Sequence, residues 1–103
     1  GKDSNDFKDI LRSFILDYNE KFPLFKKAVD EKDYLQIGKI AHSFKSVVGN
    51  FNLNDIFELA KILEMMGKNN MEEFNNRTLE EIFLEFSQKI QDFKNYIEEE
   101  YNI

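Results

Sequence analysis

The chain contains one imidazole, His42, and Lys45 lies three residues beyond it. On a helix that advances about 100° per residue, positions three apart share a side, so this imidazole and this ammonium are neighbours. Ile37, Ile40, Ala41, Phe44, Val48 and Phe51 form one apolar arc with Val47 at its edge. His42 falls about 160° from the middle of that arc, which predicts an accessible ring. Gly38 and Ser46 sit one turn to either side and Gly49 lies further along, so the steric cover is small. A free imidazole titrates near pH ~6.5, so a neutral ring nitrogen can attack an activated phosphoryl group without a thiol or a metal. Lys45 would then offset the charge of the transferred oxygens. Small residues at 38, 46 and 49 would let another domain bring its phospho-group close. The same spacing also describes an exposed histidine that does no chemistry, and wheel position alone does not separate the two.

Other site chemistries find little support. No glycine-rich phosphate loop precedes a Lys-Ser or Lys-Thr pair, and no strand-turn-helix dinucleotide fingerprint is present. There is no cysteine, hence no disulfide, thiolate nucleophile or thiolate ligand. Glu58 and Glu64 do not form the Glu-x-x-His pattern of di-iron bundles, and His42 has no carboxylate three residues before it. Ser43 adjoins His42 on the chain without an obvious oxyanion hole, so a hydrolytic triad is a poor fit. Glu80 and Glu81 read as charged helix surface, and Glu98-Glu99-Glu100 as a solvated helix terminus.

The net charge of -6 argues against a phosphate-binding footprint for nucleic acid and against attachment to an anionic membrane. No segment approaches the roughly 18 consecutive apolar residues of a membrane span, and no basic region followed by an apolar stretch marks a signal peptide. The absence of cysteine fits a reducing compartment.

Around the histidine the periodicity is helical throughout. Phe7, Ile10, Leu11, Phe14, Ile15 and Tyr18 predict an amphipathic helix over about residues 6–20. Pro23 either opens a second helix or kinks one long one. Asp30 to Asp33 reads as a polar junction, with Asp33 as the N-cap of the His42 helix. That helix ends near Phe51, where Asn50 or Asn52 supplies a left-handed residue. Asn54 or Asp55 caps the next helix, which carries Ile56, Leu59, Ala60, Ile62, Leu63 and Met66 and exits from Gly67. A turn or one-turn helix occupies 71–76. Thr78 and Glu81 form a capping box that opens a last helix, with Leu79, Ile82, Phe83, Phe86, Ile90, Phe93, Ile97 and Tyr101 facing inward. With eleven phenylalanines and 42% apolar residues, the chain can fill a core. Phe14, Phe44, Phe83, Phe86 and Phe93 belong in it, and Met65 and Met66 fill gaps. The expected fold is all-α: one domain over 1–103, an antiparallel four-helix bundle with an additional short N-terminal or connecting helix.

The stretch Ile40-Ala41-His42-Ser43-Phe44-Lys45-Ser46, followed by Val47-Val48-Gly49-Asn50-Phe51, resembles the phosphoacceptor helix of histidine-containing phosphotransfer (HPt) domains. That pattern runs alanine-histidine, polar, apolar, lysine, glycine, then small and apolar residues to a second glycine. Leu59-Ala60 and Leu63-Glu64 resemble the next helix of the family. Phe14, Phe22, Phe25, Ala28, Asp33 and Leu35 fit its lead-in. The likeness spans most of residues 10–66, and the final helix agrees in kind.

The resemblance implies that His42 receives a phosphoryl group, on its outward ring nitrogen, from an aspartyl-phosphate receiver domain and passes it to another. Lys45 matches the lysine that supports that group, and Gly49 a small position on the exposed face. It implies a carrier with no cofactor and no ATP-binding or autonomous catalytic site, since the receiver supplies the acidic pocket and the divalent metal. The implied partners are response-regulator receiver domains or a hybrid sensor histidine kinase. A cytoplasmic monomer is expected, because four helices can close their own core and the His42 face must stay uncovered. Ser46 stands where the family usually has glycine, and Asn52 replaces the second glycine. Two alternatives stay open. One is the kinase-fed histidine domain of chemotaxis type, for which a helper glutamate is expected on the histidine's own helix, where Leu35 to Phe51 has none. The other is a docking bundle with an inert His42.

Overall fold

The computed structural model describes residues 4–103. Four helices follow one another: α1 (Ser4–Asp30), α2 (Tyr34–Gly49), α3 (Asn54–Lys68) and α4 (Leu79–Tyr101). Between α3 and α4 lies a hairpin of β1 (Glu73–Phe74) and β2 (Arg77–Thr78). Short connections make the helices a largely antiparallel bundle. α2 and α3 share the most intimate seam, and α1 and α4 close the other sides. The 44 Å long axis is set by α1, whose length at 1.5 Å per residue is about 40 Å.

α1 is one continuous helix with Pro23 inside it. Pro23 and Asn19 are both exposed, so the carbonyl that loses its amide partner lies on the wet side of the helix, where water satisfies it. The polar junction falls at residues 31–33, where Lys32 takes a left-handed φ of 55°. Asp33 caps α2 by accepting from the Gln36 amide at 3.3 Å.

After α2, Asn52 rather than Asn50 is left-handed, with φ 56°. Leu53 holds the N-cap position of α3 without any side-chain cap, so Asn54 and Asp55 are first-turn residues and not caps. α3 ends at Lys68 and leaves through a turn at Asn69 and Asn70, with Gly67 buried in its last turn.

Residues 73–78 form neither a one-turn helix nor a plain turn. Glu73 pairs with Thr78 and Phe74 with Arg77. Asn75 and Asn76 both take positive φ, at 52° and 63°, as a two-residue hairpin loop requires. No short helix precedes α1 among the described residues. The Thr78–Glu81 capping box is complete: Glu81 N donates to Thr78 Oγ1, and Glu81 Oε1 accepts from Thr78 N, both at 3.1 Å.

The core is an aromatic cluster drawn from three helices. Phe25 of α1, Phe44 of α2 and Phe86 of α4 are fully buried. Their ring centroids stand 5.5 to 5.7 Å apart, stacked or edge-on. Burying each such side chain contributes about 1.5–3 kcal/mol. Ala60, Leu63 and Met66 complete the core from α3. Phe44 is the anchor that sets the rotation of α2. It sits two residues after His42 and is fully buried, which turns His42 outward.

Candidate functional site

Because Ile37, Ala41, Phe44 and Val48 are buried, α2 has one rotational setting, and in it the His42 side chain is 62% exposed. The ring is nonetheless held. Its Nδ1 lies 2.7 Å from Oε2 of Glu64, a residue of α3 whose side chain is only 6% exposed. The other carboxylate oxygen of Glu64, Oε1, pairs with the Lys45 ammonium at 2.6 Å. Lys68, one turn further along α3, approaches Oε2 at 3.1 Å. A single buried carboxylate thus holds the imidazole and two lysines together.

The electrostatics of this cluster follow from its geometry. The Lys45 ammonium is the main influence that holds the Glu64 carboxyl low, at about 2; burial pushes the other way, and Lys68 and His42 add to the lowering. Glu64 is therefore an anion at neutral pH, and an ionised carboxylate only accepts hydrogen bonds. The proton of the shared bond belongs to His42 Nδ1, which donates to Oε2. A neutral ring in that tautomer keeps its lone pair on Nε2, the nitrogen facing away from Glu64. Chemically the site offers an oriented nucleophile, a fixed negative charge to stabilise the imidazolium form, and two cations beside it.

The sequence candidates take different places. Lys45 is near His42 but bound to Glu64, and only 25% exposed. Ser46 is exposed one turn from His42, and its hydroxyl donates to the His42 carbonyl at 3.2 Å. Gly49 is exposed near the end of α2, where the Phe57 ring would lie 3.6 Å from an added β-carbon. Gly38 is not an open position: it is buried in the α2–α3 seam against Gly67. Ser43 faces α1, where the Lys21 ammonium donates to its hydroxyl while also pairing with Asp17 at 2.8 Å.

Sequence reasoning missed Glu64, Gly67 and Lys68. The signal was present in α3. Ala60, Glu64 and Gly67 recur at spacings of four and three on the stripe that faces α2, and a carboxylate on such a stripe requires a partner. Glu64 and Lys68 also form an i,i+4 pair. Together with Tyr34, Leu35, Gly38, Lys39 and His42, these α3 residues line an open groove of about 560 Å³ beside the imidazole. Among the described residues no group of three or more histidine, cysteine, aspartate or glutamate side chains converges, and no helix is long and apolar enough to cross a membrane.

A family model described as the Hpt domain matches residues 9–99 of the chain. No curated protein and no solved structure matches it.

Proposed function

Because the chain belongs to the Hpt domain family, and so to phosphorelay signalling, we propose that His42 is its phosphoacceptor and relays a phosphoryl group between aspartyl-phosphate receiver domains. Hpt domains generally work with receiver domains or hybrid kinases. The observation that carries the proposal is the exposed His42 ring whose Nδ1–H is held at 2.7 Å by the buried Glu64 carboxylate. In the forward step the Nε2 lone pair forms a bond to phosphorus as the bond from phosphorus to the donor aspartyl oxygen breaks. The aspartate leaves as a carboxylate. The ring gains positive character, which Glu64 stabilises from the Nδ1 side. The onward step is the reverse, with a second aspartate as the nucleophile. Divalent metal and the acidic pocket belong to the receiver, and this domain supplies position and charge.

Lys45 supports the transfer in this reading, partly through the carboxylate it holds. Ser46 and Gly49 leave the exposed face of α2 unobstructed, and Gly67, packed against Gly38, lets α3 come close. The domain acts as a cytoplasmic monomer, since its His42 face has to stay uncovered.

A second reading, phosphorylation by a separate ATP-binding kinase domain, gains from one observation. A helper carboxylate does sit on the histidine, although it comes from α3 and not from α2. The donor distinguishes the two. Phosphorylated receivers and, separately, a kinase ATP domain with ATP are each incubated with wild type and His42→Gln. Acid-labile, alkali-stable label from receivers on wild type alone supports the relay. Label from the kinase alone selects the second reading. No label from either leaves a docking bundle with an inert histidine.

A further inference from the structure

The two lysines around Glu64 are not held alike. Lys45 makes the shorter contact, 2.6 Å, to Oε1, from a side chain only 25% exposed. Lys68 makes the longer one, 3.1 Å, to Oε2, from a side chain 66% exposed. Oε2 also accepts the His42 Nδ1–H at 2.7 Å, so the Lys68 ammonium and the imidazole share one oxygen. Lys68 lines the groove that opens beside His42, and Lys45 does not. Phosphorylation of Nε2 would bring a charge of roughly -1.5 to -2 next to a carboxylate that stays ionised. That repulsion calls for a cation able to turn. Lys68 is the one whose departure leaves Glu64 with both of its closer partners.

We propose that Lys68 is a second phosphoryl contact: when His42 is phosphorylated, its ammonium leaves Glu64 Oε2 for the phosphoryl oxygens while Lys45 stays on Oε1. The proposal rests on the phosphorelay reading of His42. It assigns direct support of the phosphoryl group to a residue of α3, and gives Lys45 the part of holding Glu64. Lys39 also lines the groove, but has no contact to the carboxylate that orients the ring.

The test uses phosphoramidate as donor, which needs no receiver. Nε2 bonds to phosphorus as the P–N bond breaks and ammonia leaves. The last protonation of the phosphoryl group is then followed by ³¹P NMR against pH. A contacting cation favours the dianion, so Lys68→Gln raises the midpoint by roughly 0.2 to 0.7 unit, the range for one exposed ion pair. Lys68→Arg restores it. Lys39→Gln removes the same charge from the same groove and moves the midpoint less, as does Lys45→Gln. A Lys68→Gln midpoint equal to wild type overturns the assignment, and so does an equal or larger shift in Lys39→Gln or Lys45→Gln. If wild type takes no phosphoryl group on its histidine, the phosphorelay reading fails and this inference fails with it. A labelled wild type with an unmoved Lys68→Gln midpoint overturns the role of Lys68 alone.

Discussion

Gly67 of α3 stands against Gly38 of α2 so closely that a β-carbon on Gly67 would lie 2.6 Å from Gly38 Cα and 2.8 Å from the Tyr34 carbonyl oxygen. Gly38 is one turn before His42 on α2, and Gly67 is three residues after Glu64 on α3. The backbone contact therefore lies beside the His42–Glu64 hydrogen bond. A glutamate side chain is short, and it reaches the ring across the seam because the two helices meet without side chains between them. Gly67 is thus part of how the imidazole is oriented.

Gly67→Ala forces the helices apart, since the atoms in the way are backbone. It should cost about 1–3 kcal/mol, as overpacked sites do, and slow phosphoryl transfer by displacing Glu64 from His42. Gly38→Ala is the control. Its β-carbon would meet nothing nearer than 3.5 Å, an ordinary contact, and its stability in urea should equal or exceed that of wild type. Equal stability of the two variants would contradict the seam described here.

Glu64→Ala removes the acceptor for His42 Nδ1–H and frees Lys45. Transfer from a phosphorylated receiver should fall roughly 10- to 150-fold, the equivalent of the roughly 1.5–3 kcal/mol that a hydrogen bond to a charged group is worth. Glu64→Gln keeps an acceptor oxygen without the charge, so its rate should lie between Glu64→Ala and wild type. Stopped-flow transfer kinetics order the three, and a wild-type rate in Glu64→Ala would refute the orienting role.

The same carboxylate gives stability a pH dependence. In the fold Glu64 is held at about 2, below its ordinary 4.5. A lowered folded-state value means that the stabilisation is complete above 4.5 and is lost as pH falls toward about 2. Wild type should therefore exceed Glu64→Gln in urea midpoint near pH ~6, and the gap should shrink steadily down to pH ~2.5. A gap that stays constant over that range would count against an ionised Glu64.

Ser46 occupies a position where a hydroxyl could bond the phosphoryl group, yet it donates to the His42 carbonyl. Ser46→Gly should leave the transfer rate within about twofold of wild type. Helix stability should drop by about 0.5 kcal/mol, the propensity difference between serine and glycine. A large rate change, read in the same kinetic assay, would place the hydroxyl on the reaction path.

Periodicity carried most of the fold, because burial of Ile37, Ala41, Phe44 and Val48 depends only on spacing along one helix. The same holds for the Thr78–Glu81 box and the Asp33 cap, which are local hydrogen bonds. What escaped was long-range or very short. The hairpin arms are two residues each, too short for an alternating pattern, although Asn75-Asn76 is a turn dipeptide. Pro23 was ambiguous because its tolerance depends on which side of α1 faces water. At the site, His42 and Lys45 were legible as neighbours on one helix. Glu64 was not, since its partner lies 22 residues away and only the packing of α2 on α3 brings them together. The small size of Gly38 suggests room for a partner, whereas in the fold the residue is buried against α3.

The most direct measurement is ¹⁵N NMR of the imidazole before and after phosphorylation by a receiver, which is unambiguous because the chain has one histidine. Before transfer, the neutral ring should show Nδ1 protonated and Nε2 bare. Afterwards, phosphorus coupling should appear on Nε2, with Nδ1 still carrying its proton. A ring protonated at Nε2 before transfer, or phosphorus bonded to Nδ1 after it, would contradict the orientation of His42 by Glu64.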